Sequence, residues 1–229
     1  MVCLQETKAQ EYQLPLDAAF LADYAVAYLD ATVRKGYSGV AIYARRTPDR
    51  IRRGFGWPKF DAEGRYVQAD FGRLSIGSLY VPSGSAGPHR RAWKAEFLEL
   101  LEGWMKRAGR DGRRYILCGD FNLAHAQIDV YDPKSAARQP GFLPQDRAWL
   151  ERAFNGPWTD AVRAAHPHEP GIYTWWSHAE GAFAQNHGWR IDFHIVSKAL
   201  RPRIRAAWVY RERRFSGHAP VIVDYDLEA

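Results

Sequence analysis

At 229 residues the chain is long enough to bury one substantial core, which excludes a disulfide-stapled miniature and argues for a single domain. Hydrophobic residues at 46% and charged residues at 25% are ordinary globular proportions and exclude a disordered or collagen-like chain. A formal net charge of +6 sets up a moderate positive field, which suits a polyanionic partner without specifying one.

The opening segment, MVCLQETK, has neither the basic nor the apolar region of a signal peptide. No apolar run approaches the roughly 20 residues that cross a bilayer, so the expectation is a cytoplasmic protein. Strands are predicted, in order, over VCLQE (2–6), YAVAYL (24–29), GVAIYAR (39–45), RYVQADF (65–71) and LSIGSLYV (74–81). A helix follows over 89–108, where Trp93, Phe97, Leu100, Leu101 and Trp104 recur with helical spacing. RYILCGDF (114–121) is again strand-like. A second helix over 144–154 starts at Pro144, a favoured first helical position, and places Trp149, Leu150 and Phe154 on one face. A short helix is expected over 159–165, with Thr159 and Asp160 supplying capping oxygens. Three strands complete the chain: IDFHIVS (191–197), RAAWVYRE (205–212) and PVIVDYDL (220–227).

No linker, no repeat and no regular strand–helix alternation interrupts this pattern. It predicts an α+β fold over 1–229, two mixed or antiparallel sheets packed as a sandwich and flanked by helices. Cys3 and Cys118 lie in apolar runs without a CxxC spacing, so they are read as small buried hydrophobes and not as a zinc or redox site. With nine Trp, 12 Tyr and 11 Phe, most aromatics are expected in the core.

Several strands end on acidic or amide groups instead of turn residues. VCLQE ends at Glu6, YILCGDFN at Asp120 and Asn122, and GWRIDF carries Asp192 inside an apolar run. Hard oxygen ligands gathered at sheet ends are what Mg²⁺ or Mn²⁺ requires, although a lone strand-end carboxylate is usually just solvated. Tyr80 runs into a proline turn at YVPSG, and His218 opens the last strand in SGHAP. Each alone reads as a packed or surface residue; only their combination points to chemistry.

Read in order, LQETK (4–8), GYSGVAIYAR (36–45), EGRY (63–66), YVPSG (80–84), GDFN (119–122), IDVYDPK (128–134), YTWW (173–176), GWRID (188–192) and SGHAP (216–220) resemble the successive motifs of the exonuclease III family of AP endonucleases, within the endonuclease/exonuclease/phosphatase superfamily. The resemblance implies a four-layer α/β/β/α sandwich. It also implies a Mg²⁺-dependent DNA-repair phosphodiesterase, with Mn²⁺ as an alternative metal, acting as a monomer. Its activities would be incision 5′ to abasic sites in duplex DNA and 3′→5′ exonuclease action at recessed ends. By the same resemblance Glu6 binds metal, with Asp120, Asn122 and His218 in the wider ligand set. Asp120 activates the attacking water, Asn122 supports the phosphate, Tyr80 contacts the phosphate or leaving group, and Asp192 holds the His218 imidazole. Trp175, Trp189 and Ile191 correspond to an apolar pocket for a flipped-out sugar. Lys8, Lys134 and Arg190 are expected contacts to the DNA backbone.

The resemblance has two departures. Family members carry a strand with a metal-supporting Asn ahead of LQE, whereas this sequence begins just before VCLQE; the expectation is a start placed too late or a fragment, with apolar surface left exposed. Where the family has Ser-Asp-His, this chain has Ser216-Gly217-His218, so a carboxylate is missing beside the imidazole. These departures motivate a competing expectation, a DNA-binding module with weak or no catalysis. A phosphoinositide or other small phosphodiester substrate is a third reading, disfavoured by GWRID and YTWW.

Overall fold

The computed structural model describes residues 1–14 and 22–227. They pack as two compact units, Met1–Val81 with Gly112–Asp120, and Pro82–Asp111 with the chain from Phe121 onward.

In the first unit, β1 (Val2–Gln5), β2 (Ala25–Leu29) and β3 (Val40–Ala44) form an antiparallel sheet in the order β1-β3-β2. Four further strands, β4 (Arg50–Arg53), β5 (Tyr66–Phe71), β6 (Leu74–Tyr80) and β7 (Arg114–Asp120), lie side by side. The first three pair antiparallel, and β6 pairs with β7 in parallel, with Tyr80 opposite Asp120. A parallel pair needs a long crossover, and the excursion Pro82–Asp111 supplies it. Alternation on the strands builds the core: Ala27, Val40 and Ile42 from one sheet meet Val67 and Ala69 from the other. The opposite face of β5 is also buried, and its polar groups are satisfied in a chain. Tyr66 Oη donates to Gln68 at 2.7 Å, and Gln68 and Ser75 both donate to Asp70 at 2.6 Å. A four-residue helix, α1 (Pro58–Asp61), closes the turn before β5.

The second unit opens with α2 (Pro88–Ala108). Its buried stripe is Lys94, Phe97, Leu98, Leu101, Trp104, Met105 and Ala108, while Trp93 and Leu100 are half-buried, so the inward face is rotated from the one aromatic spacing suggested. The short α3 (Pro133–Ala136) is capped by Asp132. Next comes α4 (Pro144–Asn155), which docks on α2 through Trp149 Nε1, donating to the Leu98 carbonyl at 2.9 Å. Residues 158–160 form a strand, β8, which leads into α5 (Ala161–Ala165). Asp160 caps α5 as expected, accepting from Val162 and Arg163 N–H, but Thr159 pairs in the sheet and is not part of the helix. Two-residue strands β9 (Trp175–Trp176) and β10 (Gly188–Trp189) form a ribbon. β11 (Asp192–Ser197) pairs antiparallel with β8, and β12 (Ile204–Val209) with β13 (Val221–Tyr225).

The α+β class and the face-to-face packing of sheets are borne out. Neither cysteine is in a disulfide among the described residues; Cys118 is buried and Cys3 half-buried. Among the described residues, no helix is long and apolar enough to cross a membrane.

Candidate active site

In the first unit the functional groups collect at the ends of β1, β6 and β7. Gln5 donates to Ser78 Oγ at 2.8 Å, and that hydroxyl donates to the Leu4 carbonyl at 2.8 Å, fixing β1 against β6. Glu6 leaves β1 with φ +50°, a left-handed conformation that costs a non-glycine residue free energy and turns its carboxylate out of the strand alternation. Lys8, also at positive φ, is exposed and pairs with Glu6 at 2.9 Å. Asp120, at the end of β7, is 3% exposed.

Tyr80 joins these two carboxylates. Burial raises its pKa far above the usual phenol value, the negative charges of Glu6 and Asp120 add to the shift, and a hydrogen bond to Glu6 contributes further. Its hydroxyl therefore stays protonated and acts as a donor. Behind it lies a residue that sequence reasoning passed over: Arg65 is 1% exposed, with its guanidinium 5.0 Å from the Tyr80 ring centroid. It donates to Glu63 at 2.5 Å, the Tyr80 carbonyl at 3.1 Å and Tyr37 Oη at 2.9 Å. The only sign of it in the sequence is the EGRY segment. Glu6, Asp120 and Tyr80 together offer hard oxygen donors, and Lys8, which pairs with Glu6, is exposed. That donor chemistry fits a magnesium-class ion.

In the second unit His218 Nδ1 lies 2.9 Å from Asp192 Oδ2 and 3.1 Å from Oδ1. A carboxylate facing Nδ1 selects the tautomer protonated there and makes Nε2 the working nitrogen. Thr174, another residue missed from sequence and fully buried, holds this pair together. Its Oγ1 accepts the N–H groups of Ile191 and Asp192, both at 3.1 Å, and its carbonyl accepts Ala219 N–H at 2.8 Å. The strand segments bearing Asp192 and His218 are thus tied to one hydroxyl-bearing residue. Gly217 does not need to be glycine here: a Cβ would meet nothing nearer than the Trp176 carbonyl oxygen at 3.5 Å. Asn122, like Glu6, sits at φ +50°, after the fully buried Phe121.

Trp175, Trp189 and Ile191 do come together. Ile191 is buried in an apolar cluster with Ala124, Val130, Ala136 and Phe142, and the half-buried Trp175 and Trp189 pack against it, their rings edge-to-face with each other at 6.5 Å. Trp175 also lies 6.5 Å from the His218 ring. Lys134 is exposed on α3.

Arg190 corrects the expectation of a DNA contact. It is 0% exposed and pairs with Asp129 at 2.8 and 3.1 Å and with Asp160 at 2.7 Å, its guanidinium 4.5 Å from the Phe193 ring. Arg163 reaches the same Asp129 at 2.6 Å. Two carboxylates and two guanidiniums neutralise one another inside the unit, so this charge is spent on structure. Burial alone would raise the Asp129 carboxyl; Arg190 and Arg163 outweigh it and hold the pKa at about 2.

Residues 1–212 match the family described as the endonuclease/exonuclease/phosphatase family. An exodeoxyribonuclease of Bacillus subtilis is 34% identical over 221 residues, covering 96% of this chain and 86% of that protein. A DNA repair nuclease of Danio rerio is 33% identical over 227 residues, covering 96% and 71%. Among solved structures, an AP endonuclease from Archaeoglobus fulgidus superposes with a TM-score of 0.88 at 25% identity, covering 98% of this chain and 88% of that one. A 3′-5′ exonuclease from Neisseria meningitidis gives the same TM-score and coverage at 27% identity.

Proposed function

Since the chain belongs to the endonuclease/exonuclease/phosphatase family, we propose that it is a DNA-repair hydrolase that incises duplex DNA 5′ to abasic sites and degrades recessed 3′ ends. The observation that carries this reading is the Asp192–His218 pair at 2.9 Å, present in a chain that also sets Tyr80 against two carboxylates. The family match runs through both compact units, which supports treating residues 1–229 as one catalytic domain.

Glu6 and Asp120 are the residues that would hold a divalent cation; when bound, it supplies Lewis-acid charge neutralisation at the phosphate. The remaining roles belong to the chain. Asp120 accepts the proton of the attacking water. Asn122 donates an amide hydrogen bond to a non-bridging oxygen, where charge accumulates in the transition state. Tyr80, held protonated by its surroundings, donates to the phosphate or to the departing 3′ oxygen. His218, oriented through Nδ1 by Asp192, has Nε2 available to donate to a phosphate oxygen. Trp175, Trp189 and Ile191 offer the apolar wall against which a sugar without a base is extruded at small stacking cost. Lys8 and Lys134, both exposed, are available to the DNA backbone.

The test is cleavage of a duplex bearing one abasic-site analogue, with Mg²⁺ or with EDTA, for this chain and for Asp120→Asn. Incision should need the metal and fall by 10²-fold or more in the variant, on the order expected for losing a proton-transfer group. Salt-dependent duplex binding with no metal-dependent incision would instead identify a binding module.

A further inference from the structure

Under Asn122 lies a buried cation that none of the catalytic motifs contains. Lys94, in the second turn of α2, is 4% exposed, and its ammonium donates to the main-chain carbonyl of Asn122 at 2.8 Å. Asp146, in the first turn of α4 and 6% exposed, provides the opposite charge, with Oδ1 3.8 Å from the ammonium. Its other oxygen accepts the N–H groups of Gly141 at 2.8 Å and Leu143 at 3.3 Å. Gly141 closes the arrangement. It sits at φ +99°, its carbonyl accepts Ala124 N–H at 2.8 Å, and a Cβ placed on it would lie 2.8 Å from the Asn122 carbonyl oxygen. The Asn122 carbonyl is therefore held by the Lys94 ammonium and closely faced by Gly141, both of them tied to Asp146, while Asn122 itself occupies the left-handed region at φ +50°.

This arrangement is expensive for a core. Desolvating an ammonium and a carboxylate costs several kcal/mol, and a buried ion pair stabilises a fold no better than well-packed apolar residues. The neighbouring positions of the α2 stripe, Phe97, Leu98 and Leu101, are such residues. The product of that cost is one carbonyl held in place, directly on the residue assigned to the phosphate. Strained backbone persists where the surroundings over-determine it, and here the restraints are identifiable.

We propose that Lys94 is a positioning residue for phosphodiester hydrolysis: together with Asp146 and Gly141 it locks the Asn122 peptide in its left-handed conformation and so aims the Asn122 amide at the phosphate. The inference rests on the reading of Asn122 given under Proposed function. Displacing a positioned group by about 1 Å is worth roughly 10²-fold in rate, so a small movement of this peptide is enough to matter.

Lys94→Met keeps the length of the side chain and removes its charge, and Gly141→Ala pushes the same carbonyl from the other side. Both should lower kcat for incision by about 10- to 100-fold with KM and duplex affinity little changed. Coupling separates positioning from general destabilisation. Lys94→Met combined with Asn122→Ala should be no slower than Asn122→Ala alone, because the lysine has nothing left to position. In crystal structures of the two single variants Asn122 should leave the left-handed region or its carbonyl should shift. Additive rate losses in the double variant, or an Asn122 backbone unchanged in Lys94→Met, would overturn the proposal. Should the parent chain fail to incise DNA, the nuclease reading falls, and the Asn122 backbone in the variant structures still decides whether the clamp exists.

Discussion

Replacing Arg190 with Met separates a structural cation from a DNA contact, and the two roles predict different measurements. Arg190 is wholly buried, Asp129 is equally so, and Asp160 is 6% exposed. With Arg163 the four charges balance, so Arg190→Met leaves one buried carboxylate uncompensated. Breaking such a pair by removing one partner costs about 3–5 kcal/mol. For a chain of this length each kcal/mol lowers the melting temperature by about 2–4 °C, which places the loss at roughly 6–20 °C. The deficit also has a pH signature. The Asp129 carboxyl sits at about 2 only because Arg190 and Arg163 outweigh its burial; without Arg190 its pKa rises, and protonation then relieves the stranded charge. The gap between parent and variant should therefore narrow on going from pH 8 to pH 5, as read by thermal melting followed by circular dichroism. Duplex affinity of the folded variant, titrated against salt at low temperature, should keep the parent's slope. A phosphate contact would do the opposite, reducing the slope by about one and leaving melting nearly untouched. That second result would refute the structural role.

Gly217→Asp should fold normally, since the added Cβ finds nothing closer than 3.5 Å, and should raise the incision rate by about 10- to 100-fold by restoring a carboxylate next to His218; an unchanged rate in single-turnover assays would count against an impaired network. Asp192→Asn keeps the shape of the pair but presents an amide to Nδ1, so kcat should fall by about 10²–10⁴-fold with melting little altered, and equal activity would show that tautomer control is unimportant. His194 titrates at about 4 because burial disfavours its cation, with a backbone contact at Val221 opposing only part of the shift. Its folded pKa lies below the unfolded value near 6.5, so the unfolded chain binds the extra proton. Stability should fall as pH drops from about 6.5 to 4, by at most about 3 kcal/mol, and His194→Gln should flatten that portion of a urea-denaturation pH profile.

What could be read from the chain depended on how local the cause was. Alternating apolar residues marked β5, β6 and β7, and Pro144 marked the start of α4, because those signals act over a few residues. β4 was invisible: its sequence, RIRR, carries three arginines with only Ile51 turned toward the core, and charge concealed the alternation. Thr159 and Asp160 of β8 read as the start of a helix because Asp160 does cap one, while the strand's sheet partners lie on β11, more than thirty residues away. The acidic strand ends at Glu6 and Asp120 stood out for the opposite reason, since a carboxylate where a turn residue belongs is a local anomaly. Arg190 misled because a basic residue in GWRID, a motif shared with DNA-acting relatives, reads as a backbone contact, and its counter-charges Asp129 and Asp160 are identified only by three-dimensional packing. Thr174 and Lys94 gave no signal, as one buried hydroxyl or one helical lysine means nothing until its partners are known.

The parallel pairing of β6 with β7 also dictates an order of events during synthesis. At about 5–20 residues per second the ribosome takes roughly 2–8 s to add the forty residues that separate Tyr80 from Asp120. During that interval β6 has its antiparallel partner on one side and waits with its other edge unpaired. Leu74, Ile76, Leu79 and Tyr80 make up four of the seven residues of that strand, so the waiting edge is an apolar template to which another nascent chain can pair. The strand that ends in Tyr80 is thus where the topology leaves the nascent chain open to mispairing, for as long as β7 takes to arrive.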